Sequence, residues 1–108
     1  MKRYWIGVVM LSAGLFCGSV AVEAAQGASP GEEGFTKNCV VCHPNGGNII
    51  NPDDTLDRKA LEREGIRTPA DIIKKMRDPG PGMTKFDTKM IADAEAKAIA
   101  EYILKTFK

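Results

Sequence analysis

The sequence predicts an all-α domain of about four short helices, and three observations carry that prediction. Helix-start signals recur at Ser29-Pro30 and Thr68-Pro69, an apolar stripe at helical spacing fills residues 93–106, and no stretch of residues 25–108 reads as a credible strand. Proline and glycine punctuate the intervals between these segments.

The chain opens with an export signal. Lys2 and Arg3 form a short positive region, Trp5 to Val22 is apolar and small without a charge, and Val22-Glu23-Ala24 places small residues before a cleavage point. Cleavage is expected after Ala24, with Ala25 as the neighbouring alternative, leaving residues 25–108 as one domain. Two other readings stay open. The apolar run is close to the shortest that spans a bilayer, although Gly7, Ser12, Gly14, Gly18 and Ser19 interrupt it. Cys17 invites lipid attachment, but the bulky Phe16 stands where such processing sites want a small residue.

In the mature part, Ser29-Pro30-Gly31-Glu32 combines a capping serine, a proline at the first helical position and an acid three residues on. A helix should run from Pro30 to about Cys39 with Phe35 and Cys39 on its inner face. Pro44-Asn45-Gly46-Gly47-Asn48 is turn-rich, and Asn51-Pro52-Asp53-Asp54 continues an irregular loop suited to wrapping a cofactor edge. A second helix is expected over Leu56 to Glu64, with Leu56, Ala60 and Leu61 on one face and Gly65 as a left-handed stop. Thr68-Pro69-Ala70-Asp71 opens a third, through about Arg77, with Ile72, Ile73 and Met76 turned inward until Pro79 ends it. The last runs from Asp93 to Thr106 on a stripe of Ala96, Ile99, Tyr102 and Ile103.

Removing the signal takes Lys2, Arg3 and Glu23 from 15 basic and 14 acidic side chains, so the mature charge balances near zero. Such a balance excludes a polyanion-binding surface, and no nucleic-acid partner is expected. Phosphate-binding glycine patterns and nucleophile triads are missing, and the acidic residues fit helix starts, turns and solvated faces, so no catalytic residue and no enzyme activity are expected. A domain this small has a meagre core and often depends on a metal, cofactor or disulfide.

Cys39-Val40-Val41-Cys42-His43 answers that need. Two thiols three residues apart share a helical face and can each reach one vinyl group on the same edge of a porphyrin, forming thioethers. His43 then lies beneath the ring as the proximal iron ligand, its other nitrogen held by a backbone carbonyl, for which the stretch from Ile49 to Pro52 is the expected source. The rival readings are weaker. A thioredoxin-type pair needs a βαβ context, a structural zinc needs a fourth ligand, and a three-residue disulfide is strained and leaves His43 idle. One covalently attached haem c, with its iron, is the expected cofactor.

His43 is the lone histidine, so the iron's other ligand comes from Met76, Met83, Met90 or a lysine, or the site stays open. Met83 is favoured: it follows Pro79-Gly80-Pro81-Gly82, whose prolines stiffen the loop and whose glycines let backbone pass near the ring, whereas Met76 fits an apolar helix face and Met90 follows a charged stretch.

With these residues in view, the chain resembles a class I monohaem cytochrome c, and most closely the cytochrome c6 type, over essentially its whole mature length. Gly31 and Phe35 stand eight and four positions before Cys39, as in that family's first helix. Gly46, Asn48, Ile50, Asn51-Pro52 and Thr55-Leu56 resemble the segment after its haem motif; Leu61-Glu62 and Gly65 continue it, and Met83-Thr84-Lys85-Phe86 stands at its Met-Pro-x-Phe. Ile99 and Tyr102 resemble the closing helix that crosses the first near Gly31 and Phe35. The resemblance implies the small class I cytochrome c fold and haem-pocket roles for Asn48, Ile50 and Pro52. Two departures stand out: Thr84 replaces the usual proline, and Lys75 replaces a glutamine common in photosynthetic members, its long side chain expected to point outward.

Histidine and methionine on both axial sites leave no open position, so the expected function is a periplasmic one-electron carrier that cycles Fe(II)/Fe(III) between transient redox partner proteins and takes no small-molecule substrate. Electrons should pass at the haem edge near the thioethers of Cys39 and Cys42. The rivals are a haem-based sensor or weak peroxidase with a labile sixth site, and a membrane-tethered cytochrome subunit of a respiratory complex.

Overall fold

Three of the four α-helices begin where a side chain can accept the backbone donors that the first turn leaves unpaired. In the computed structural model, which describes residues 27–108 and, in isolation, Gly14, the Ser29 hydroxyl accepts the Glu32 N–H at 3.2 Å and opens α1, Pro30–Asn38. Asp57 accepts the Ala60 N–H at 3.0 Å and opens α2, Arg58–Arg63. Thr68 and Asp71 exchange bonds in a capping box that opens α3, Pro69–Arg77. The longest helix, α4, spans Asp93–Thr106 without a side-chain cap. A short 3-10 turn, Pro44–Gly46, lies between α1 and α2, and no strand occurs among the described residues. The expected export signal, residues 1–24, and Cys17 with it, lie outside the described residues except for Gly14.

The all-α expectation holds, with two boundary corrections. α2 starts at Arg58 rather than Leu56 because the Asp57 carboxylate is the cap; Leu56 instead donates its N–H to the Gly46 carbonyl at 2.7 Å. α1 stops at Asn38, and Cys39 is its C-cap. Gly65 follows α2 with φ +74°, the left-handed stop read from the sequence. No helix among the described residues is long and apolar enough to cross a membrane.

Two glycines set the principal crossing. A Cβ on Gly31 would run into the Ala98 carbonyl oxygen and Tyr102 Cβ, and one on Gly34 would stand 2.7 Å from Ile99 Cγ1, so α1 and α4 meet almost backbone to backbone. Phe35 fills the space beside that crossing, its ring centroid 5.4 Å from Tyr102 and 5.3 Å from Phe107. The core continues through Leu61, Ile66, Ile72, Met76 and Ile103, with Ile91 and Ile99 fully buried. At the far end of α4, Phe107 lies over Gly46, where φ is +78° and a Cβ would approach its ring to 2.5 Å. The end of α4 thereby braces the turn that follows Cys42-His43.

Gly31→Ala tests the crossing. Helix propensity alone favours alanine by about 0.8–1 kcal/mol, but the struck atoms include backbone that cannot rotate away, and overpacking costs about 1–3 kcal/mol. Net destabilisation is expected in chemical unfolding of the holoprotein. Gly27→Ala, with open space around it, should change stability by less than about 0.5 kcal/mol; equal effects at both positions would refute the close-approach account.

A second prediction concerns acid. The Thr55 hydroxyl, then the Ala60 N–H, hold the Asp57 carboxyl below its ordinary 3.8, and the Arg67 and Thr68 N–H groups do the same for Asp71. A depressed folded pKa means that the stabilisation is complete above 3.8 and is lost as pH falls below it. The thermal midpoint of an Asp57→Asn/Asp71→Asn variant should therefore fall less steeply than wild type between about pH 5 and 2; parallel curves would contradict these carboxylates' roles.

Candidate functional site

The C-terminal end of α1 delivers the Cys39–His43 motif to one wall of a cavity. After Asn38, the Cys42 and His43 N–H groups both donate to the Cys39 carbonyl, at 3.2 and 2.8 Å, so the chain coils once more and turns both thiols and the imidazole to the same side. All three side chains are half-buried, and the two cysteines are not joined in a disulfide. Asn45 and Gly46 then adopt left-handed φ of 53° and 78°, reversing the chain within two residues.

That reversal corrects one expectation. The carbonyl that holds His43 belongs to Gly47, 2.7 Å from Nδ1, and not to the stretch from Ile49 to Pro52. The tight turn brings the chain back under the imidazole four residues later, before the 49–52 stretch is reached. With Nδ1 held as a donor to a carbonyl, the lone pair on Nε2 is the one left for a metal.

Asn48 organises the next loop. Its Oδ1 accepts the N–H groups of Ile50 and Asn51, each at 2.9 Å, while its Nδ2 donates to the Asp54 carbonyl at 3.0 Å. The Ile49 N–H closes the loop onto the Cys42 carbonyl at 3.0 Å. The role of Asn48 as the hub of this loop was not legible beforehand, although its short amide within a turn-rich run is the signal that points to it.

The cavity, of about 320 Å³, is lined by Cys39 and His43, by Leu61, Ile66, Ile72 and Met76, and by Pro81, Met83 and Phe86. A contiguous lobe of about 150 Å³ extends along Cys42, Val41, Asn48, Ile50 and Gly82. Met83 is 36% exposed and lines both spaces, whereas Met76 is buried to 3% among core side chains and Met90 lines neither. Of the pocket residues read from the sequence, Asn48 lines both spaces and Ile50 only the smaller; Pro52 is exposed and lines neither. Lys75 is exposed yet lines the cavity, together with Asp54 and Glu64.

A flat apolar macrocycle fits these residues. The walls are largely aliphatic, two unlinked thiols sit at one rim, and one imidazole has its outer nitrogen tied down. Burial, and secondarily the Glu95 carboxylate, push the free Cys39 thiol up to about 11. The position therefore resists a thiolate and suits an uncharged thioether. Among the described residues no cluster of three or more His, Cys, Asp or Glu side chains stands ready to hold a bare metal ion.

Known proteins share this arrangement. Residues 26–103 match the family model described as cytochrome C oxidase, cbb3-type, subunit III. The chain is 30% identical to cytochrome c6 of Cyanidium caldarium over 103 residues, covering 95% of this chain and 92% of that protein. Among solved structures, the outer membrane cytochrome OmcF from Geobacter sulfurreducens is 45% identical with a TM-score of 0.71, covering 72% of this chain and 99% of that one. Cytochrome c6 from the diatom Phaeodactylum tricornutum is 35% identical with a TM-score of 0.65, covering 70% of this chain and 88% of its own. With a Cys39–His43 attachment motif facing an apolar cavity in an all-helical domain, the chain belongs to the monohaem class I c-type cytochromes, as a cytochrome c6-like electron carrier with covalently attached haem c.

Proposed function

We propose that this chain is an exported, periplasmic one-electron carrier in which Cys39 and Cys42 form the haem thioethers and His43 and Met83 are the axial iron ligands. The observation that carries the reading is that Met83 lines the same cavity as His43 from an irregular, partly exposed segment, while Met76, which also lines it, is buried among core side chains and Met90 lines neither space. The bound haem supplies reversible one-electron exchange between ferrous and ferric iron.

The protein's own residues shape that exchange. Gly47 fixes the imidazole through Nδ1, which keeps Nε2 in one orientation and makes it a better donor. The thioether of Met83 is a soft, uncharged ligand that favours ferrous iron, and the aliphatic wall of Leu61, Ile66 and Ile72 excludes water from that side. Both effects raise the reduction potential relative to a bis-histidine site. Val41, Ile49 and Ile50 are exposed at 79%, 60% and 61% beside the thiols, giving an apolar rim where a redox partner can approach and leave. The reading has no catalytic step.

A second reading concerns attachment. The outer-membrane name of the Geobacter relative and the respiratory-complex description of the matching family favour a mature protein that stays membrane-bound through its N-terminal segment. Intact-mass measurement separates the two: loss of residues 1–24 supports the free carrier, while a retained segment or a lipid adduct at Cys17 supports the tethered form.

Met83→Ala is the direct test of ligation. Wild-type ferric protein should show the weak long-wavelength band of sulfur-ligated haem and bind CO slowly when reduced; the variant should lose the band and bind CO rapidly. Unchanged spectra in the variant would remove Met83 from the iron. Removing the cofactor tests its structural weight: a haem-free Cys39→Ala/Cys42→Ala variant should be largely unfolded by far-ultraviolet circular dichroism, and a cooperative thermal transition in it would contradict that dependence.

A further inference from the structure

Residues 79–85 carry Met83, with a turn at Pro81-Gly82, and among the described residues no hydrogen bond ties their backbone to another element. The bonds that join the segment to the rest of the fold lie at its ends. On entry, the Asp78 N–H donates to the Lys74 carbonyl at 2.8 Å and closes α3. On exit, Phe86 is held twice: its N–H donates to the Met76 carbonyl at 2.9 Å, and its carbonyl accepts Arg77 Nη1 at 3.1 Å. The same guanidinium donates Nη2 to Asp93 Oδ1 at 2.8 Å, in the first turn of α4. One planar fork thus joins the last residue of α3, the residue three positions after Met83, and the start of α4.

We propose that Arg77 is a positioning residue for the Met83 ligand, acting as the latch that closes the methionine segment against the haem cavity; this rests on the reading of Met83 as the distal ligand. Arginine suits the task because its donors are fixed in a plane and serve two acceptors at once, which a lysine ammonium on a flexible stem does not reproduce. The two bonds are unequal. The Asp93 carboxylate is 83% exposed, so that ion pair is screened by water and contributes little by itself. The Arg77 side chain is only 21% exposed, and its bond to the Phe86 carbonyl is charge-assisted and partly shielded. Without it, opening the segment requires breaking only the Phe86–Met76 backbone bond and the packing of the Phe86 ring against the core.

The proposal separates local opening from global unfolding, and the rate at which imidazole replaces the distal ligand of the ferric holoprotein reads the former. Arg77→Gln should raise that rate by roughly tenfold or more, the effect of losing one charge-assisted bond. Arg77→Lys should fall between wild type and Arg77→Gln, and Asp93→Asn, which leaves the Phe86 bond in place, should lie nearest wild type. Guanidinium unfolding of the same proteins must shift too little to account for the rate. Imidazole binding at the wild-type rate in Arg77→Gln, or an increase matched in every variant by lost global stability, overturns the latch. Should Arg77→Gln fail to retain haem, Arg77→Lys decides by the same measure, a wild-type rate there refuting the proposal. Met83→Ala distinguishes the two claims. If it binds imidazole no faster than wild type, the Met83 reading fails and the latch with it; if it binds fast while Arg77→Gln does not, the latch alone fails.

Discussion

The near-contact of α1 with α4 is the constraint from which the rest of this molecule follows. Gly31 and Gly34 let two helices from opposite ends of the domain touch along their backbones, and Phe35, Tyr102 and Phe107 seal the contact with tilted and edge-on rings. Because Cys39 caps the end of α1, fixing α1 against α4 also fixes where the Cys39–His43 motif emerges. Because Phe107 covers Gly46, the same helix braces the reversal that carries the Gly47 carbonyl to His43. A cavity can then exist between this N-terminal assembly and the wall formed by α3 and the methionine segment.

That cavity explains how so small a domain holds together. The buried side chains form a thin shell of aliphatic residues and one phenylalanine, and the interior they enclose is incomplete without a large apolar group. The haem of a c-type cytochrome is therefore structural as well as functional. Attachment through Cys39 and Cys42, as proposed, would couple fold and cofactor, each stabilising the other.

Much of this was legible in the sequence because its determinants are local. Ser29-Pro30 and Thr68-Pro69 specify their helix starts within four residues, and both formed as read, as did the left-handed stop at Gly65. The Cys39–His43 motif is local too, so the expectation of a covalent haem rests on five letters. What escaped depended on residues distant in the chain or on backbone turns. The Asp57 cap moved the start of α2 because a carboxylate outcompeted the apolar face as a boundary signal. The holder of His43 was placed too far along, since the consecutive left-handed residues Asn45 and Gly46 shorten the path to Gly47. The packing of Phe107 over Gly46 and the bonds from Arg77 to Phe86 and Asp93 join segments that no periodicity relates.

The central claim is that a histidine nitrogen and a methionine sulfur close both faces of the iron, and X-ray absorption at the iron edge of the ferric holoprotein tests it most directly. The account predicts a six-coordinate, low-spin iron with one sulfur scatterer alongside its nitrogens. A shell of nitrogen and oxygen alone, or a five-coordinate iron, would contradict it.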